Sequence, residues 1–590
     1  MANDDLIFIN GINASSGDYD FPPMSLDDLS KLAQGEALDE ADVKELQAKH
    51  KEKTTAHWAV KEGVDPKDLA QAGWGVVFAF ADKDKTPAIK DALKPLLDWR
   101  RSQAAKIKEN RYKEFIGPAS FRPKENKNAF LSRHQMGPGP ADPDKVPYYL
   151  LIVGDPEAIP YKVQYQLDVQ YAVGRIHFDN VDDYARYAHN VVLAEQKSPF
   201  LNPKATFFGV ANPNDTATNL SAEKLIKPLS AFVAQDKPNW AIKNFSPAQS
   251  TKAGLGSILN DAKDETALLV AASHGMGFDN GAPLQLRHQG ALLCQDWPGP
   301  DAHKGPIPDK FYFSGDDVSA SANLLGMIAF FFACYGGGTP LEDEFAHKDG
   351  KRKQIAPKPF LANLPRRMLQ QGALAVFAHV ERAWGTSFMW DKGIDNTESF
   401  KSSFKRLLEG APMGNAFEYF NERYAELSSE LTVILEELQF GGEPDKEDLV
   451  QKWTANNDAR SFVVIGDPAV RLPTPVMGGA PKEKRPGLAT ALAAFAVAPA
   501  AAADPKLTAQ TTLDALTSQI QSKAKEALES ASGVQREGDV KTNPADVAFD
   551  SGKGVMTGTA QLATTARLDP TGAAGSWDIQ VEIKVTAKKK

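Results

Sequence analysis

Thr266-Ala267-Leu268-Leu269-Val270-Ala271-Ala272-Ser273-His274-Gly275 and Gly326-Met327-Ile328-Ala329-Phe330-Phe331-Phe332-Ala333-Cys334-Tyr335-Gly336-Gly337-Gly338 are the stretches on which the reading of this chain turns. Each opens with a short run that is apolar at almost every position. Such a run is expected as a strand buried on both faces, the mark of a parallel sheet covered by helices. Each ends in one reactive side chain followed by glycine. Ligands of open parallel sheets bind at the carboxyl ends of the strands, so the imidazole and the thiol would share one rim. If the two strands are neighbours, the two groups come within reach of each other.

Working outward, similar apolar runs occur at 149–153, 206–210, 373–379 and 462–465. Helical patterns at 222–233 and 361–371 lie between them, the second ending before Gly372, where a C-cap glycine belongs. A helical pair at 399–408 and 414–437 precedes the last run. This alternation predicts an α/β fold, a mainly parallel sheet with helices on both faces. Residues 1–145 read as a mostly helical N-terminal region. Ser25 is placed to cap a helix that begins Leu26-Asp27-Asp28, 75–80 reads as a strand and 89–99 as a helix. Residues 146–205 form a first α/β subdomain and 206–473 the main domain. Residues 474–504, rich in Pro, Gly and Ala, are a linker. Residues 505–590 form a small α+β region, with a helical pattern at 508–529 and β-prone stretches ending at 577–583.

The bulk numbers narrow the classes of function. A chain of 590 residues exceeds one hydrophobic core, and 42% hydrophobic with 24% charged residues is ordinary globular composition. A net charge of −9 with no basic stripe excludes a general nucleic-acid binder, and the Lys588-Lys589-Lys590 end reads as a solvated tail. The alanine-rich run 488–503 contains Pro499 and is shorter than a membrane span. The first five residues lack the basic and apolar parts of a signal peptide. With two cysteines, Cys294 and Cys334, there is no disulfide framework, which suits a reducing, cytoplasmic setting.

A free thiol of pKa about 8.5 is only a few per cent thiolate at neutral pH, and an adjacent imidazole raises that fraction or takes the proton during attack. An acyl intermediate then needs N–H donors at its oxyanion, and the amides of Gly275 and Cys334 are the candidates. Taken singly, a histidine after an apolar strand is more often a strand terminus, and a cysteine after Phe-Phe-Phe-Ala more often a buried core residue. Their joint occurrence, each before glycine, brings the pair to even weight with that plainer reading. Cys294 lacks a glycine turn and reads as structural. His303 and His347 have no metal-ligand spacing, so neither a metal nor a cofactor is expected. Gly336-Gly337-Gly338-Thr339 lacks the lysine of a phosphate loop.

Ala272-Ser273-His274-Gly275, followed sixty residues later by Ala333-Cys334-Tyr335-Gly336, resembles the His-Gly and Cys pattern of clan CD cysteine peptidases, which have the caspase fold. Three more segments are similar to gingipain-type and bacterial caspase-like CHAT proteins. They are Tyr149-Leu150-Leu151-Ile152-Val153-Gly154-Asp155 running on to Gly174-Arg175-Ile176, then Gly372 to Val380, and Phe462 to Leu472. The resemblance spans about 147–473. It implies His274 as base, Cys334 as nucleophile, and Gly275 with Cys334 as oxyanion donors of an endopeptidase with a caspase-like catalytic domain. It also implies a substrate pocket beside the strand that follows the cysteine, where Glu381, Arg382 and Trp384 stand. Glu381 in the pocket would select Arg or Lys and Arg382 an acidic residue, but a surface or interior ion pair between the two is the reading favoured over either, and Trp384 is a pocket wall or a core aromatic. Asp316 and Asp317 either orient His274 or cap a helix. The expected partners are a protein or peptide substrate and a regulatory protein, with neither nucleic acid nor membrane. The expected role is intracellular signalling or defence. The alternative is a catalytically silent caspase-like scaffold.

Overall fold

The computed structural model describes residues 6–7, 11–20, 24–34, 60–196, 199–348, 351–390, 394–475, 480–481, 483–488, 534–536, 541–542, 546–550, 555–568 and 575–588. The main sheet has ten strands: β1 (Trp74–Phe78), β2 (Tyr112–Phe115), β3 (Tyr149–Val153), β4 (Ala172–Ile176), β5 (Lys204–Gly209), β6 (Ala241–Phe245), β7 (Leu268–Ala272), β8 (Ile328–Phe332), β9 (Ala375–His379) and β10 (Phe462–Gly466). Their spatial order is β2-β1-β3-β4-β10-β9-β8-β7-β5-β6. The first four pair parallel with one another, as do the last five, and β10 runs antiparallel to β9. This is the α/β, mainly parallel architecture expected from the apolar runs.

Every residue of β7, β8 and β9 is buried, because each strand is central and covered on both faces. Phe330 of β8 packs against Phe377, Phe400, Phe404, Phe417 and Phe462, with ring centroids 5.5–6.2 Å away. This cluster ties the Cys334 strand to β9, β10 and the helices Glu398–Leu408 and Glu418–Gln439. Edge strands are more polar. Tyr112-Lys113-Glu114-Phe115 carries two half-buried charges at its centre, and Ala241–Phe245 is largely open to solvent, which protects the sheet margins from further pairing.

The ten-stranded sheet crosses the expected boundary at 145, since β1 and β2 belong to it. Helix 89–99 is two helices, Thr86–Ala92 and Lys94–Ala104, which pack with Val181–Gln196. Ser25 precedes the helix Leu26–Gln34, and its Oγ accepts the Asp28 amide at 3.2 Å. Helix Lys446–Ser461 was not expected from the sequence. Beneath the carboxyl end of β7 lies a four-stranded sheet of Gly11–Asn13, Gly275–Gly277, Leu292–Leu293 and Tyr312–Phe313.

The chain divides into two units, 1–495 and 496–590. The second holds a five-stranded antiparallel sheet in which Val555–Leu568 and Gly575–Lys588 pair along their whole length. The expected helix at 508–529 and most of the 474–504 linker lie outside the described residues. No described helix is long and apolar enough to cross a membrane.

Asp467 locks the far end of β10. It accepts from Arg100 Nε at 2.7 Å and from Trp74 Nε1 at 3.0 Å, and Arg100 also makes two 2.6 Å bonds to Glu195. Arg100 is 1% exposed and Asp467 fully buried, so removing one partner strands the other. Asp467→Ala is expected to cost about 3–5 kcal/mol. A lower chemical-denaturation midpoint with the slope unchanged checks this; an unmoved midpoint would contradict it.

Candidate functional site

The ladder between β7 and β8 pairs Ala272 with Phe332, and the Ser273 amide continues it by donating to Phe332 O at 3.1 Å. His274 and Cys334 therefore leave the sheet at the same level, two residues beyond the last matched pair. The contact is tight. A Cβ on Gly275 would lie 1.7 Å from Cys334 O and 2.8 Å from Cys334 N, so only glycine permits the two main chains to meet. Tyr335 then turns the chain sharply with φ +58°, a left-handed conformation that costs about 1–3 kcal/mol for such a side chain. Its amide donates to Glu381 O at 2.6 Å and its hydroxyl to Asp20 Oδ2 at 2.6 Å, which hold the turn.

β5, the next strand beyond β7, matches Gly209 with Ala272 and delivers a carboxylate to the same place. Asp215 Oδ2 lies 2.7 Å from His274 Nε2, and both residues are fully buried. Asp215 also accepts from the Tyr19 hydroxyl at 2.5 Å and from Thr218 Oγ1. Burial alone would raise its pKa, but the charge of His274 and the hydrogen bonds from His274, Thr218 and Tyr19 outweigh it, so Asp215 is held below the usual carboxylate range. An ionised carboxylate accepts a hydrogen bond from Nε2–H and so leaves Nδ1 as the open nitrogen of the ring; Nδ1 is buried and has no hydrogen-bond partner.

Cys334 is fully buried as a thiol, and its Sγ accepts the Ala383 amide at 3.2 Å. Burial raises its pKa strongly, with the Ala383 N–H and the Arg382 charge working in the other direction. Ala383 is placed by a second buried pair, in which His379 Nε2 meets Asp458 Oδ1 at 3.0 Å. Asp458 also accepts the Trp384 amide at 2.8 Å and Ser387 Oγ.

A cavity of about 430 Å³ opens beside Tyr335, lined by Asn13, Asp20, Asp279, Asp343, Lys353 and Arg382 among others. Arg382 binds Asp343 through both terminal nitrogens, at 2.7 and 2.8 Å, and reaches Glu381 at 3.0 Å. The ion pair between Glu381 and Arg382 is therefore formed, with Asp343 as a third member. Trp384 is placed elsewhere: it is fully buried in the main core and meets Trp453 edge-on at 6.4 Å.

Asp215 was missed in the sequence, and the suggestion of Asp316 or Asp317 as partner of His274 is corrected. Asp316 binds His288 and Arg287, while Asp317 completes the Ser314 cap and pairs with Lys252. Cys294 is buried, with its Sγ donating to Leu292 O at 3.3 Å. No cluster of metal-ligating residues occurs among the described residues.

Residues 85–473 match the family model described as Peptidase family C25. No curated protein matches the chain. Among solved structures, the chain is similar to one in the Saccharomyces cerevisiae separase–securin complex, at 10% identity and a TM-score of 0.26. That match covers 55% of this chain and 16% of the other.

The lowered pKa of Asp215 fixes a sign for stability. Its ionised form is favoured by folding, so its contribution is present above the ordinary value of 3.8 and is lost as pH falls through the lower folded pKa. Asp215→Asn should abolish that part of the acid sensitivity. Denaturation midpoints from pH 6 down to 3 check it: the wild type must lose its advantage over the variant only below about pH 4.

Proposed function

This chain belongs to peptidase family C25, and on that premise we propose that it is a cysteine endopeptidase in which Cys334 attacks and His274 carries the proton. The observation that supports this most is the division of labour on His274, whose Nε2 is engaged by Asp215 while Nδ1 stays open at the level of Cys334. In the proposed reaction the thiol proton passes to Nδ1 as sulfur bonds to the scissile carbonyl carbon. The amides of Gly275 and Cys334 take the oxyanion, a reading supported by the close approach of their main chains. The imidazolium then protonates the leaving amine as the C–N bond breaks, and water activated by Nδ1 hydrolyses the thioester. Asp215 acts through the imidazole, as a positioning residue that fixes its tautomer and stabilises its charged form. A silent scaffold has no use for that carboxylate, which favours the enzyme.

The proposed P1 residue is Arg or Lys. Asp20, Asp279 and Asp343 line the cavity against Lys353 and Arg382, and Glu381 pairs with Arg382 behind it, so the surroundings are net negative and favour a cation. A regulated enzyme acting on few proteins in intracellular signalling or defence, with a regulatory protein partner, suits two free thiols and a closed site.

Cys334→Ala should abolish hydrolysis of peptide substrates, His274→Ala should lower kcat/KM about 10²–10⁴-fold, and Asp215→Asn about 10²-fold or more. Undiminished hydrolysis by Cys334→Ala would refute the assignment. On a fluorogenic panel with Arg, Lys, Asp or Leu at P1, the basic pair should be preferred and Asp343→Asn should weaken that preference. Faster turnover of the Asp substrate would overturn the pocket reading.

A further inference from the structure

The surface on which a peptide would have to lie is already covered. Gly11–Asn13 adds a parallel strand to Gly275–Gly277, matching Gly11 with Gly275, Ile12 with Met276 and Asn13 with Gly277. The Ala14 amide extends the pairing to Gly277 O at 2.6 Å. Gly11 sits against the thiol so closely that a Cβ there would lie 3.0 Å from Cys334 Sγ. The chain then folds back, with Asp20 N donating to Gly11 O at 2.9 Å, and lays two side chains over the rest of the site. Tyr19 bonds Asp215 and presents its ring edge-on to His274 at 5.6 Å. Asp20 accepts from Tyr335 and lies 3.7 Å from Arg382 Nε.

Three residues of this ten-residue segment, Gly11, Tyr19 and Asp20, thus reach the nucleophile, the base, the carboxylate behind the base and the arginine of the cavity. His274 and Cys334 have no exposed surface. The segment also precedes the stretch matched to the family, 85–473. A carbonyl carbon cannot reach Sγ while Gly11 occupies the approach to it.

We propose that residues 11–20 are a built-in plug: they fill the cleft of an extended peptide substrate by main-chain pairing with Gly275–Gly277, and hold the enzyme latent until displaced. This rests on the reading of Cys334 as the nucleophile. Displacement gives back to a substrate strand the donors and acceptors that Gly11–Asn13 now uses, so substrate and plug exclude each other. It also lowers the burial that keeps the thiol protonated, while Arg382 remains nearby.

The test uses full-length protein and two variants that loosen the segment away from the thiol. Gly17 has φ +76°, and a Cβ there would lie 2.3 Å from Gly305 O, so Gly17→Val disrupts its turn. Asp20→Ala removes its bonds to Tyr335 and Arg382. Iodoacetamide labelling of each cysteine is followed by mass spectrometry, beside hydrolysis of an Arg-P1 peptide. Labelling of Cys334 should be slow in the wild type and at least tenfold faster in the variants, with Cys294 unlabelled throughout. Equal rates in the wild type and Asp20→Ala would overturn the plug. Labelling of Cys294 in Gly17→Val would report unfolding, and Asp20→Ala then decides. Faster labelling without any hydrolysis would keep the plug and sink the peptidase reading. Hydrolysis that is present but equal in all three proteins would do the reverse.

Discussion

The contact between Gly275 and the main chain of Cys334 is the constraint on which the rest depends. Two central strands end at the same level, and the chain after one presses against the carbonyl of the other with no space for a Cβ. The pairing of Leu268–Ala272 with Ile328–Phe332 must therefore stay in register, since a slip of one residue would turn every side chain to the opposite face. The phenylalanine cluster around Phe330 holds that register from one face. At the carboxyl end of β10, Arg100 and Asp467 tie this antiparallel strand to β1 and to the helix Lys94–Ala104. Rigidity at a distance is what keeps the ends of the two strands at one level without a disulfide.

Two buried histidine–carboxylate pairs stand near this rim, and their surroundings separate their tasks. Asp458 spreads its bonds over His379, the Trp384 amide and Ser387, and so fixes the loop from which Ala383 reaches Cys334 Sγ. Asp215 spreads its bonds over His274, Thr218 and Tyr19. The first pair builds a wall of the site; the second shapes the ring whose Nδ1 is open. The thiol itself is held in its neutral form by burial. His274 and Cys334, both without exposed surface, are closed to solvent.

What the sequence disclosed follows from which physical signals are local. The central strands were legible because burial on both faces leaves an uninterrupted apolar run, and His274 and Cys334 because each ends such a run before glycine. Asp215 was not, because Asn212-Pro213-Asn214-Asp215 has the composition of any turn. Only the order β8-β7-β5 brings it to the imidazole, and strand order is a long-range property. Helix Lys446–Ser461 was obscured for another reason: its buried residues mix Leu449, Val450 and Trp453 with Asn456, Asn457 and Asp458, which hydrogen bonds hold, so no continuous apolar stripe marks it. β2 was hidden by the charges that suit an edge strand, so the sheet reached further toward the N-terminus than composition indicated.

A cleft that binds its occupant through backbone pairing reads little sequence, because every residue offers the same N–H and C=O. In the proposed enzyme, discrimination among substrates along Gly275–Gly277 would fall to the cavity around Arg382 and Asp343, and a pocket of net negative charge accepts any exposed Arg or Lys in an extended segment. Such a site left open would cut many proteins. Restriction to few targets then has to come from access rather than from recognition. That places the burden on the residues that now cover the thiol, with Ile12 packed among Met276, Leu293, Trp297 and Ile307 as the anchor that makes removal costly. The apolar anchor and the glycine over the sulfur are complementary parts of one device: the first sets how firmly the cleft is closed, the second makes closure complete.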